Sequence, residues 1–213
     1  MSLYNTILYS NTFAKFTSIY YRYFQVSKRK FGYFSKTARV RYPIRIKGIE
    51  NVYMYDRTHI LSGALIIAVG AKFIMKKNSG AAEGLTVVTE NHLVEPGEWF
   101  LDRGSTNDFI EADDVVIEED VWIAANVTLL KGVTVGRGAI VGAGSVCRNS
   151  IPPYAIVLGN PAKVIGFKFT PEETIAHEKA LYPEEERLPA ETIQKNYDKY
   201  FINRIKNIKN YLK

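Results

Sequence analysis

The chain has 213 residues, enough for one or two domains, and 46% hydrophobic with 23% charged residues excludes an intrinsically disordered protein. One cysteine excludes an intramolecular disulfide, and the three histidines at 59, 92 and 177 show no metal-ligand spacing, so no metal is expected. The net charge of +6 is uneven: no acidic residue precedes Glu50, while ten Lys and Arg residues lie between Lys15 and Lys47.

Residues 1–45 read as a basic, aromatic N-terminal arm. Tyr and Phe interleave with the cations, and the apolar spacing from Phe13 to Phe24 is compatible with a helix. Three uses fit this mixture: packing on the chain's own body or a neighbouring subunit, contact with an anionic membrane surface, or capture of a phosphorylated partner. No recognition motif accompanies the charge, so nucleic acid is not expected as a partner. The longest uncharged apolar run, 60–71, is too short to cross a bilayer, and no signal-peptide pattern is visible. The expected location is cytoplasmic, with the arm as a point of peripheral contact at the inner face of the membrane.

A six-residue rhythm sets in at Ile46 and Val52. One inward slot is assigned to Leu61, Ile67, Phe73 and Leu85, with Ser79 interrupting, and the other to Val69, Met75, Ala81 and Val87. The rhythm stops after Leu93. Residues 94–110 (VEPGEWFLDRGSTNDFI) form a loop insertion, and its Trp99, Phe100 and Phe109 suit a loop that packs better than a solvated one.

The rhythm then returns in its clearest form. From residue 117 the chain reads IEEDVW, IAANVT, LLKGVT, VGRGAI, VGAGSV, headed by Ile117, Ile123, Leu129, Val135 and Val141. Two residues before each head stands Val115, Val121, Val127, Val133 or Ala139, and Ser145 continues that series. A helix repeats near 3.6 and a strand at 2, so a period of six points to a parallel β-helix of hexapeptide coils. Each hexad is one short strand and a turn, the head points inward, and stacked coils bury one another's faces. Cys147 occupies a head position and is read as a core residue. Ile151-Pro152-Pro153-Tyr154 forces an extended exit, because proline cannot donate to a ladder.

The prism is therefore expected over 46–167 and a helical extension over 168–213. Thr170-Pro171-Glu172-Glu173 is a helix start, with a capping hydroxyl, proline at the first position and acids at the positive end of the dipole. A second segment from Pro189 places Ile193, Tyr197, Tyr200, Phe201, Ile208 and Leu212 on one face. His177, in this tail, is read as a surface or packing residue.

The hexads, together with DVWIAANV at 120–127, GAGSV at 142–146 and IPPYAIVLGNPAKVI at 151–165, resemble the hexapeptide-repeat O-acetyltransferases of the maltose, galactoside, xenobiotic and capsular-polysaccharide type. The resemblance covers residues 46–167 and is most specific in its C-terminal part. It implies an all-β solenoid wound as a left-handed parallel β-helix, a homotrimer with active sites between subunits, and acetyl-CoA as co-substrate in the groove between them. Handedness comes from the resemblance alone, since parallel crossovers are ordinarily right-handed.

By the same resemblance His92, in VVTENH beside Asn91, stands where the family places its catalytic histidine. An acceptor hydroxyl is a poor nucleophile at neutral pH, and a neutral imidazole can take its proton as it attacks the thioester. The family's oxyanion donor corresponds to the backbone N–H of Ala125, and its active-site tryptophan to Trp122. Ala125 and Ala143 match backbone positions that bond the pantetheine amides of CoA, and Arg148 and Lys163 match positions beyond them, suited to its phosphates. Arg148 departs from the hydroxyl residue common there, and Ala124 from a usual glycine. The other nitrogen of His92 calls for an acceptor, with Glu90, Asp102, Asp108 or a backbone carbonyl as candidates. The acceptor site is expected under the 94–110 loop, where Trp99 offers a face for a sugar and Glu98, Asp102 and Asp108 can bond hydroxyls. The expected activity is transfer of acetyl to a sugar hydroxyl in surface or capsular polysaccharide assembly. The alternatives are acetylation of a xenobiotic hydroxyl and a non-catalytic trimeric scaffold.

Overall fold

A strand of two or three residues cannot stand alone, so each hexad persists by pairing with the hexads one coil before and after it. The computed structural model describes residues 15–16, 19–20, 26–99 and 110–203. Its first coil comprises β1 (Tyr33–Phe34), β2 (Arg39–Val40) and β3 (Arg45–Lys47), and its second β4 (Val52–Met54), β5 (His59–Ile60) and β6 (Leu65–Ile67). The third comprises β7 (Phe73–Met75), β8 (Gly80–Ala81) and β9 (Thr86–Val88). An antiparallel hairpin of β10 (Glu90–His92) and β11 (Ile110–Ala112) then leaves the prism. The fourth coil is β12 (Val115–Ile117), β13 (Trp122–Ile123) and β14 (Thr128–Leu129), and the fifth β15 (Thr134–Val135), β16 (Ile140–Val141) and β17 (Val146–Cys147).

Three parallel sheets result. The first face runs β1-β4-β7-β12-β15 and the third β3-β6-β9-β14-β17. The second runs β2-β5-β8-β13-β16 and continues into β18 (Ala155–Leu158) and the antiparallel β19 (Lys163–Phe167). All five hexad heads from Ile117 to Val141 and all of the second series from Val115 to Ser145 are buried along the axis, and so is Cys147, whose thiol burial pushes up to about 11. Polar residues in inward slots are bonded there: the Ser79 hydroxyl donates to the Glu118 carbonyl at 2.6 Å, and the Ser145 hydroxyl accepts from Gly159 N–H at 3.2 Å.

Two expectations about the first coils are corrected. The prism begins at Tyr33, inside the stretch assigned to the arm, because Tyr33 already pairs with Tyr53. In the second coil the slots expected to hold Leu61, Ile67 and Val69 are filled one residue earlier, by the buried Ile60, Ile66 and Ala68. The reason is coil length. Ile123 pairs with Val141, eighteen residues on, whereas Tyr53 pairs with Ile74, twenty-one residues on. The surplus lies at the corner between the third and first faces, so counting in sixes across it loses phase. The assignments from Phe73 to Val87 agree with the structure, since Phe73, Met75, Ser79, Ala81, Leu85 and Val87 are all buried.

The tail forms the expected helix α1 (Pro171–Leu181), with Thr170 and Glu173 in a reciprocal capping box. A second helix, α2 (Ala190–Tyr197), runs into a wider π turn over Asp198–Ile202. Ile193 is buried and Tyr197 packs on Phe167 and Phe201, while Ile208 and Leu212 lie outside the described residues. The tail is fixed to the prism by one buried carboxylate. Glu178 accepts from the Tyr154 hydroxyl at 2.5 Å, from Arg137 Nη1 at 2.9 Å and from Leu188 N–H at 3.0 Å. His177 packs its ring against Tyr154 and Phe169, as a packing residue would. Among the described residues no helix is long and apolar enough to cross a membrane. Residues 1–14, 17–18 and 21–25 of the basic arm fall outside the described residues.

Candidate active site

The corner between the third and first faces grows over the first three coils. After β3 it is a short 3-10 turn over Ile49–Asn51, after β6 it holds residues 68–72, and after β9 it becomes the β10–β11 hairpin and the loop it carries. Thr89 anchors the base: it is fully buried, its hydroxyl lies 3.3 Å from the Ile67 and Ala71 carbonyls, and its own carbonyl accepts from Asp113 N–H at 2.9 Å. His92 is the last residue of β10, exposed, with Ile110 as its backbone partner across the hairpin. Alternation along the strand turns Asn91 to the opposite side, where its Oδ1 accepts the His92 backbone N–H at 3.1 Å. Glu90 shares the His92 side of the strand, but one of its carboxylate oxygens is taken by Gly70 N–H at 2.7 Å. Trp99 is 80% exposed, and Asp102 and Asp108 lie outside the described residues.

Trp122 stands elsewhere, on the outer side of the second face, 45% exposed. Ala125 follows it at the corner between the second and third faces, and Ala143 lies one coil further along the same corner. The two turns are joined by Gly144 N–H donating to the Ala125 carbonyl at 2.9 Å. The N–H groups of Ala125 and Ala143 have no acceptor among the described residues, so this edge offers amide donors to a ligand lying along it. Arg148, just past β17, and Lys163, at the start of β19, are both exposed at the C-terminal end of the prism. Among the described residues no group of His, Cys, Asp and Glu is placed to hold a metal ion.

The expected site residues therefore fall into two groups. Trp122, Ala125, Ala143, Arg148 and Lys163 follow one edge and its adjoining faces. His92 and Asn91 sit at the corner opposite the second face, with the core between them and Trp122. Within one chain the structure does not bring His92 and Trp122 together. A neighbour that sequence reasoning missed is His59, on β5 of the second face, whose ring centroid is 6.3 Å from that of Trp122. The sequence carries no signal for this pair, because their residues meet only through the unequal coil lengths between them.

The family model for the bacterial transferase hexapeptide (six repeats) matches residues 114–149. That match spans the fourth and fifth coils. No curated protein matches the chain. Among solved structures, a maltose O-acetyltransferase from Clostridium difficile 630 superposes with a TM-score of 0.61 at 22% identity, over 76% of this chain and 87% of that one. A hexapeptide-repeat-containing acetyltransferase from Vibrio cholerae gives 0.60 at 22% identity, over 73% and 89%. A galactoside acetyltransferase in complex with coenzyme A gives 0.60 at 18% identity, over 89% and 92%. At these identities the likeness establishes the fold.

Proposed function

We propose that this hexapeptide-repeat protein is an acetyl-CoA-dependent O-acetyltransferase acting on a saccharide hydroxyl, with His92 as general base. The observation that carries the reading is the placement of His92: an exposed imidazole at the root of the one long excursion among the described coils. A scaffold needs no imidazole there. On this reading the acceptor O–H gives its proton to His92 as the oxygen attacks the thioester carbonyl. The tetrahedral oxyanion accepts a hydrogen bond from Ala125 N–H, and its collapse expels the CoA thiolate, which recovers the proton from the imidazolium. No covalent enzyme intermediate is required. Pantetheine lies along the Ala125–Ala143 edge, and its nucleotide reaches Arg148 and Lys163.

The separation of His92 from Trp122 adds a condition: a complete site takes His92 from one subunit and the Trp122–Ala125 edge from the next, as in the expected homotrimer. Surface-polysaccharide assembly is the setting we favour, since the basic arm suits acceptors held at an anionic membrane. The deciding experiment is His92→Ala. Turnover should fall about 10²–10⁴-fold while CoA affinity stays unchanged. Turnover within threefold of wild type would remove His92 from the role of base.

A further inference from the structure

Beside Trp122, the outer side of the second face carries further side chains that this mechanism leaves unused. Arg39, His59, Gly80 and Trp122 stand in register on β2, β5, β8 and β13. Gly80 contributes no side chain, and the His59 imidazole lies over it: a Cβ at Gly80 would sit 2.4 Å from His59 Cε1. The imidazole thus bridges towards Trp122 across the gap. His59 and Arg57 are shared by two adjoining depressions, one reaching Lys36, Arg39 and Arg41, the other reaching Lys77 and Tyr182.

The charge of this groove is unbalanced. Lys36, Arg39, Arg41 and Arg57 are exposed, and among the described residues no carboxylate forms an ion pair with any of them. Asp56, on the adjacent corner, accepts instead from the hydroxyls of Ser35 and Thr37. In the second depression Lys77 is already held by Glu119 and Glu186 at 3.4 and 3.8 Å, and the lining carboxylate of Asp120 is paired with Lys168 at 3.1 Å, so the unpaired positive charge lies in the first. Arg57 also occupies a left-handed backbone position, φ 55, on the corner whose successive coils place Asn78, Asp120 and Gly138 there. Those residue types adopt that conformation readily and arginine does not, so the cation is kept at a backbone cost. Tyr154, the other bulky residue on this corner, is accounted for by its bond to Glu178.

We propose that this groove binds an anionic group, phosphate or carboxylate, on the saccharide acceptor, and seats the adjoining sugar ring against His59 and Trp122. Naming the acceptor as occupant rests on the acetyl-transfer reading above. The axial order supports it. The CoA positions run from Ala125 towards the C-terminal end, so the reacting end of the thioester lies beside Trp122, and the N-terminal coils are left for the acceptor. Three strand spacings separate Arg39 from Trp122, about 14 Å, which leaves room for one or two sugar rings. Charge-assisted bonds from a planar guanidinium suit carboxylate and phosphate oxygens.

The test measures binding without turnover, using the His92→Ala protein and ligand-observed NMR with glucose, glucuronic acid and glucose 1-phosphate as probes. The anionic sugars should bind about tenfold or more tighter than glucose. The Arg39→Ala/Arg57→Ala variant, changed only at exposed positions, should lose that preference while keeping its circular dichroism spectrum and its CoA affinity. Equal binding of neutral and anionic sugars would overturn the proposal. A variant that loses CoA instead would overturn it too, by showing that the groove serves the phosphates of the co-substrate. Absence of acetyl transfer in the wild-type protein, with anion preference intact, would sink the catalytic reading and leave the groove standing.

Discussion

At Gly136 an added Cβ would fall 2.5 Å from the Pro153 nitrogen and 2.7 Å from the Ile151 oxygen, both main-chain atoms of the next coil. At Gly144 it would meet nothing within 4 Å, although the backbone there is left-handed at φ +69. Two different costs are thereby separated. Gly136→Ala must force apart backbone that is hydrogen-bonded from Gly136 N–H to the Ile151 carbonyl at 2.9 Å, which should cost about 3 kcal/mol. Gly144→Ala meets only the left-handed penalty, about 1 kcal/mol. Urea unfolding of the two variants checks the order, and equal losses would refute it. Both glycines stand in hexads that the sequence displays openly, yet nothing in the hexad says which one another coil approaches. Cys147 was legible for the opposite reason: its slot alone decides that it faces the axis.

The elements of the tail show how local and non-local information divide. The start of α1 could be read because a capping hydroxyl, a proline and two acids act on their own turn. The docking of α1 could not, because Glu178 finds Arg137 and Tyr154 on coils that precede it in the chain. The same cluster has a titration signature. Burial raises the Tyr182 hydroxyl to about 12, and burial together with the Glu178 carboxylate raises that of Tyr154 as well. In the unfolded chain both ionise near 10, so the folded state binds the extra protons. Stability should be level below about pH 10 and fall as pH rises from there towards 12, because the unfolded chain loses its protons first. Denaturant midpoints measured between pH 8 and 12 test this, and Tyr182→Phe should flatten part of the slope. A flat profile in the unsubstituted protein would rule the linkage out.

For the whole molecule, the decisive fact is that His92 and Trp122 occupy opposite sides of one prism. A site that uses both must be assembled from two chains, which makes the proposed mechanism dependent on the oligomer. Mixed oligomers provide the check. His92→Ala and Trp122→Ala proteins, each impaired alone, should regain activity when refolded together, because some interfaces then pair an intact His92 with an intact Trp122. Sites confined to one chain would show no recovery. The N-terminal coils belong to this scale as well. Tyr33 to Lys47 look like more of the basic arm until pairing with β4, β5 and β6 draws them into the prism.

The sequence by itself determined the class of fold, the inward series from Phe73 to Cys147, the break that carries His92 and the start of the first tail helix. Each of these depends on neighbours within about one coil or one turn, where periodicity and capping act directly. Only the tertiary structure decided where the prism begins, which residues of the second coil face the axis, and that His59 rather than His92 is the imidazole beside Trp122. Those outcomes depend on stacking between coils of unequal length, and a side chain's neighbour one coil away is fixed by the residues inserted at a corner, not by the hexad in which it stands.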